Sequence, residues 1–185
     1  MGLRHLPNLI SLLRIALVWP VLYCLLAGRY VPCLLLFVVA AGSDGLDGFL
    51  AKHFGWTSEL GKWLDPIADK LLLMSLFLLG AWLGLMPRWL TTAVVARDVM
   101  IGLGAILYRL VWGPLRGRAL LASKLNTLLQ LLYVLLVLLH TAYALPPRMV
   151  LDALAWLVLA SVLVSGWGYL RLFTLRALTQ SAPGH

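Results

Sequence analysis

The chain is expected to be all-α: a polytopic membrane protein of six transmembrane helices in one bundle, N-in and C-in. Three observations predict it. Hydrophobic residues make up 62% of the sequence and charged residues only 12%, a balance met in membrane proteins and rarely in soluble domains. The apolar residues fall into six stretches long enough to cross a hydrocarbon core, which takes about 20 residues as a helix. Basic residues also collect in alternate connections, the signature of a fixed orientation.

The spans are placed at 8–27, 32–52, 63–85, 88–110, 122–145 and 149–172. The first follows Arg4 and resembles a signal peptide in outline. Its apolar run, however, contains Asn8, Ser11 and Arg14, and no small-residue cleavage site follows. Cys24 is preceded by the bulky Tyr23, which argues against a lipid-modified cysteine; Cys24 and Cys33 read as packing thiols. Breaks between spans fall at Ala27–Val31, His53–Lys62, Met86–Pro87, Gly113–Ser123 and Leu145–Arg148, where Gly, Pro and charge gather. His140, inside the fifth span, reads as a satisfied polar contact and not a ligand. Trp56, Trp63, Trp82, Trp89 and Trp112, near span ends, read as an interfacial belt. The whole is one domain, residues 1–178, with a short polar tail at 179–185.

With the N-terminus inside, the cytoplasmic side receives Arg4, Lys52, Lys62, Arg109, Arg116, Arg118, Lys124, Arg171 and Arg176. The opposite side receives Arg29, Arg88 and Arg148. The net charge of +8 suits a surface that meets anionic lipid headgroups. Nothing in the pattern calls for a nucleic-acid partner.

Four of the seven acidic residues are Asp44, Asp47, Asp65 and Asp69. Asp44 and Asp47 are three apart, Asp65 and Asp69 four apart, so on helices each pair shares a face. A carboxylate at the centre of a membrane helix costs about 2.5–3.5 kcal/mol on insertion scales, and four close together repel one another. A compensating cation resolves both problems. Oxygen-only donors suit Mg²⁺, Mn²⁺ or Ca²⁺, and the lack of nearby cysteine or paired histidine argues against zinc. The second-to-third-span hairpin would bring both pairs to one level near the cytoplasmic interface. Gly42, Gly45, Gly48, Ala51 and Gly61 form a small-residue surface beside them, fit either for helix packing or for close approach of a ligand.

Asp44-x-x-Asp47-Gly48-x-x-Ala51-Lys52, followed after eight residues by Gly61-x-x-x-Asp65-x-x-x-Asp69, resembles the signature of the CDP-alcohol phosphotransferase family. One position departs from it, Lys52 standing where the family usually has arginine. Lysine keeps the charge and loses the two-pronged fork. The resemblance runs over nearly the whole chain and implies the following. A phosphatidyl group passes from CDP-diacylglycerol to an alcohol, with release of CMP, at a site facing the cytoplasm of a bacterial-type or equivalent membrane. Asp44, Asp47, Asp65 and Asp69 hold two divalent cations, Mg²⁺ or Mn²⁺, which Ca²⁺ would occupy non-productively. Asp69 is the candidate base for the acceptor hydroxyl. Pro7-Asn8-x-x-Ser11-x-x-Arg14 resembles the family's nucleotide-side motif, so Asn8, Ser11 and Arg14, with Gly48, Lys52 and Gly61, are expected on the donor side. A homodimer is also implied.

The acceptor expected is phosphatidylglycerol, the substrate of a CDP-diacylglycerol-dependent cardiolipin synthase; the alternative is glycerol 3-phosphate, as for a phosphatidylglycerophosphate synthase. Two stretches resemble the cardiolipin synthase branch more closely and so imply the first, Arg97-Asp98-Val99-Met100-Ile101 with Tyr108-Arg109, and Ser123-Lys124-x-Asn126-Thr127-x-x-Gln130. Arg97 and Lys124 are the candidate acceptor-side residues. Arg97 and Asp98 lie about 100° apart on a helix and are expected to meet different neighbours. A divalent-cation transporter is the rival from another class, but it would more often place its ligands at the midplane between repeats.

Overall fold

The computed structural model describes the backbone of residues 6–54, 61–112 and 121–181, and the side chains over 12–43, 70–107, 110–111, 121–171 and 174. Six helices account for nearly all of it: α1 Leu6–Leu26, α2 Tyr30–Phe54, α3 Gly61–Trp82, α4 Arg88–Trp112, α5 Leu121–Tyr143 and α6 Arg148–Ser181. Among the described residues, three stretches are long and apolar enough to cross a membrane, Arg88–Leu107, Leu121–Tyr143 and Arg148–Arg171. The described apolar runs of α1, α2 and α3 are shorter, Leu12–Leu26, Tyr30–Ser43 and Lys70–Trp82.

The first five helices match the expected bounds to within three residues, while the sixth extends well beyond 172. The third helix ends at Trp82, not at 85, because Gly84 takes φ 74°. There the Gly84 N–H donates to the Ala81 carbonyl and the Leu85 N–H to that of Gly80, a left-handed stop that satisfies the last carbonyls. Gly28, at φ 68°, closes α1 in the same way, with Arg29 N–H donating to the Cys24 carbonyl. The sixth helix runs to Ser181, past the start of the expected polar tail. Pro20 lies inside α1, as membrane helices tolerate more readily than soluble ones.

The chain divides into two compact units, Met1–Met86 with Val134–Leu151, and Pro87–Tyr133 with Asp152–His185. In the first unit α1 packs on both α2 and α3, and α2 also touches α3. Val21, Leu25, Cys33, Phe37, Ala40, Leu72, Leu76 and Phe77 are buried here. The buried Cys33 thiol lies 3.5 Å from the Val21 carbonyl, and neither Cys33 nor Cys24 is bonded to another cysteine, in keeping with packing thiols. At the far end of α5, His140 Nδ1 lies 2.7 Å from the Pro146 carbonyl. The carbonyl can only accept, so Nδ1 carries the proton, and His140 is the satisfied polar contact that was expected. Gly80 receives Met86, whose Sδ would stand 3.0 Å from a Cβ placed there. No described atom comes within 4 Å of a Cβ at Gly42, so helix packing among the described residues is not what keeps that position small.

In the second unit Leu90, Val94, Tyr133, Ala155, Val158 and Val162 are buried, and the Trp89 and Trp156 rings stack at 4.9 Å. Outward faces of both units are apolar: Trp19, Leu35, Trp82, Leu110, Leu121 and Trp167 are all exposed. Arginine, asparagine, glutamine and serine are meanwhile buried. That inversion suits a protein whose surroundings are lipid.

Candidate functional site

The first unit carries the acidic motif. α2 is unbroken through Asp44, Asp47, Gly48, Ala51 and Lys52, and α3 begins at Gly61 and continues through Asp65 and Asp69. The helical premise of the face argument therefore holds. Asp44 and Asp47 are separated by about 60° around α2, and Asp65 and Asp69 by about 40° around α3. Three residues join α1 to α2, and six separate α2 from α3; connections this short make antiparallel neighbours. The start of α1, the end of α2 and the start of α3 thus lie at one end of the unit. Asn8, Ser11 and Arg14 lie in the first half of α1. The side chains of Asn8, Ser11, Asp44, Asp47, Gly48, Lys52, Gly61, Asp65 and Asp69 lie outside those described, as do those of His53, Tyr108 and Arg109. Residues 55–60 and 113–120, with Trp56, Arg116 and Arg118, also lie outside.

Arg14 is described, and it is 1% exposed. A guanidinium so deep in an apolar helix needs compensation nearby, and Arg14 has an interaction partner in the structure. Among the described residues no three His, Cys, Asp or Glu side chains come together as a metal site.

A groove of about 450 Å³ runs between α1 and α3, lined chiefly by Trp19, Tyr23, Leu26, Ser75, Leu78 and Trp82. Its polar groups are hydroxyls and indole N–H groups, which cannot activate a phosphoryl acceptor. Its chemistry is that of a lipid-facing surface.

The second unit holds a buried polar seam. Arg97 on α4 is 6% exposed. Its Nη1 donates to Asp98 Oδ1 at 2.6 Å, and its Nη2 donates to Ser123 Oγ on α5 at 2.9 Å and to Ser165 Oγ on α6. The Tyr169 ring lies 5.9 Å from the guanidinium carbon, within cation–π range. One turn along, Ser161 Oγ donates to Asn126 Oδ1 at 2.8 Å. Arg97 and Asp98 therefore pair directly, against the expectation that they meet different neighbours. The reason is reach: the Cβ vectors diverge by about 100°, but a four-bond arginine side chain can curl back over that angle. Among the described residues, Arg97 Nε, Asn126 Nδ2 and Gln130 Nε2 are buried donors without a hydrogen-bond partner. Lys124, next to Ser123, is exposed.

Ser161, Ser165 and Tyr169 were not singled out from sequence. A signal existed: two serines four apart in the most apolar of the three long helices mark a polar stripe, which in a membrane segment faces protein.

The described helices, several of them long and apolar, with two aspartate pairs on helical backbone, define a helical membrane protein. The chain belongs to the CDP-alcohol phosphatidyltransferase family, whose sequence profile matches residues 4–167. A CDP-diacylglycerol–glycerol-3-phosphate 3-phosphatidyltransferase of Bacillus subtilis (strain 168) is 29% identical, over 89% of this chain and 93% of that protein. A chloroplastic enzyme of the same name from Oryza sativa subsp. japonica is 30% identical, over 89% of this chain and 56% of its own length. A cardiolipin synthase (CMP-forming) of Rattus norvegicus is 40% identical, over 56% of this chain and 34% of its own. The chain thus spans about half of the rice protein and a third of the rat one.

Proposed function

We infer that this protein is a membrane-embedded phosphatidyltransferase that moves the phosphatidyl group of CDP-diacylglycerol to an alcohol and releases CMP. The observation that carries the reading is the motif from Asp44 to Asp69, set on two unbroken helices at one end of the first unit, inside the stretch that matches the family. The reading includes six spans with both termini cytoplasmic, a single catalytic domain over 1–178, and a homodimer. It is supported by the three long apolar helices, the distribution of loop cations and the family.

The donor set fits divalent metal: four carboxylates, in two same-face pairs, with no soft ligand among them. Asp44, Asp47, Asp65 and Asp69 would hold the ions, whose charge would offset that of the pyrophosphate and would make the acceptor hydroxyl easier to ionise. Asp69 takes the hydroxyl proton. The freed oxygen bonds to the phosphorus of the phosphatidyl group as that phosphorus parts from the CMP oxygen. Asn8, Ser11, Arg14, Gly48, Lys52 and Gly61 serve the donor, and Arg97 and Lys124 serve the acceptor side.

For the acceptor we favour phosphatidylglycerol, on the Arg97-Asp98 and Ser123–Gln130 stretches. The 40% identity to the rat cardiolipin synthase over 56% of this chain supports the same choice. Glycerol 3-phosphate is the second reading, favoured by the end-to-end match to the Bacillus protein. The deciding experiment supplies purified protein with CDP-diacylglycerol, Mg²⁺ or Mn²⁺, and each acceptor separately, and identifies the lipid product by mass. Cardiolipin is the product expected, phosphatidylglycerophosphate alone would reverse the choice, and ion flux without CMP release would replace the enzyme by a transporter.

A further inference from the structure

We propose that Arg97 is a positioning residue for the acceptor, acting through Ser123 on Lys124 without touching the acceptor itself; this rests on the phosphatidyltransferase reading above. Most of the guanidinium is already committed, three of its five N–H groups being spent. An arginine Nη carries two hydrogens, and both on Nη2 are spent, one on Ser123 Oγ and one on Ser165 Oγ. Nη1 is held by Asp98 at 2.6 Å, which also cancels the charge. A phosphate approaching Arg97 would find only Nε and one Nη1 hydrogen free, on a side chain that is 6% exposed. What Arg97 does instead is rivet three helices, α4 through itself and Asp98, α5 through Ser123, and α6 through Ser165 and Tyr169.

The α5 end of that rivet has a consequence for chemistry. Ser123 is the third residue of α5, in the turn whose N–H groups have no partner within the helix. Its carbonyl also accepts from Thr127 Oγ1 at 3.2 Å. The next residue, Lys124, is exposed and carries a flexible point charge of the kind that binds phosphate. Fixing Ser123 fixes the point from which that ammonium reaches. Misplacing a binding group by about 1 Å is enough to cost a large factor in rate. The seam thus supplies placement and Lys124 supplies contact.

Arg97→Ala would break the pair with Asp98 and hollow out the seam, so the test uses the half-buried Ser123. Full-length protein in mixed micelles is assayed for kcat and for the KM of each substrate, with the accepted alcohol as probe. Ser123→Ala should raise the acceptor KM about tenfold, the effect of losing one hydrogen bond to a charged group, with the CDP-diacylglycerol KM unchanged. Ser123→Thr, which keeps the hydroxyl, should restore it. Lys124→Gln should raise the acceptor KM too, and Ser123→Ala added to Lys124→Gln should do no further harm. Multiplying defects in the double variant would mean that Arg97 and Lys124 act independently and would overturn the proposal. Donor and acceptor KM rising together would reduce Arg97 to plain packing and overturn it as well. Wild-type protein that releases no CMP with either alcohol would sink the underlying reading, a failure told apart because it needs no variant.

Discussion

Asp69 has more at stake than any other single residue, because it would serve as metal ligand and proton acceptor at once. Asp69→Asn should lower kcat by about 10²- to 10⁴-fold, the range of general base catalysis, while the protein still folds and inserts; near-normal CMP release from that variant would end the base assignment. Arg14→Ala should raise the CDP-diacylglycerol KM and leave the acceptor KM alone, a split readable from initial rates. The aspartates were legible in sequence because their spacing survives any detail of side-chain placement: three and four residues on a helix always share a face. Arg97 was legible only as a candidate. Its pairing with Asp98 depends on how a long side chain curls, and its bonds to Ser123 and Ser165 span 26 and 68 residues of sequence. No periodicity encodes contacts of that kind.

Helix ends follow from local chemistry, and two of them make stability predictions. Ala144 closes α5 at φ 58°, where a Cβ crowds its own backbone at a cost of about 1 kcal/mol. Ala144→Gly should therefore stabilise the protein slightly, and Gly84→Ala, at φ 74°, should destabilise it by a similar amount; thermal unfolding in detergent compares them directly. Gly80→Ala places a methyl 3.0–3.2 Å from three atoms of Met86. Overpacking costs about 1–3 kcal/mol against up to about 1 gained in helix propensity, so a net loss of stability is expected. Gly102→Ala, with open space around it, should show none. At this scale the sequence was informative about where helices lie and less so about where they stop. Gly84 and Pro87 stood in plain view, but the apolar run continues through Leu83 and Leu85, and only the left-handed turn shows that the helix has already ended.

The sequence conveyed the all-helical architecture and the family together, since an apolar chain with breaks every 20-odd residues has few ways to satisfy its backbone. The division into two compact units was not legible, because it arises from contacts between helices far apart in the chain. Chelation by EDTA should abolish CMP release without unfolding the protein, with Mg²⁺ or Mn²⁺ restoring it; turnover persisting in metal-free buffer would count against the four-aspartate site. Reporters fused at both termini should read out as cytoplasmic, and opposite readings would contradict the orientation inferred from loop charge. The apolar exterior made by Trp19, Leu35, Trp82, Leu110 and Trp167 has a last consequence. Enzyme and lipid substrates would meet within a two-dimensional film, so their encounters are governed by mole fraction in that film and not by molarity in the flask. Adding inert detergent at fixed substrate should slow the reaction by surface dilution alone, and the KM of each lipid substrate is meaningful only as a ratio of lipid to total amphiphile.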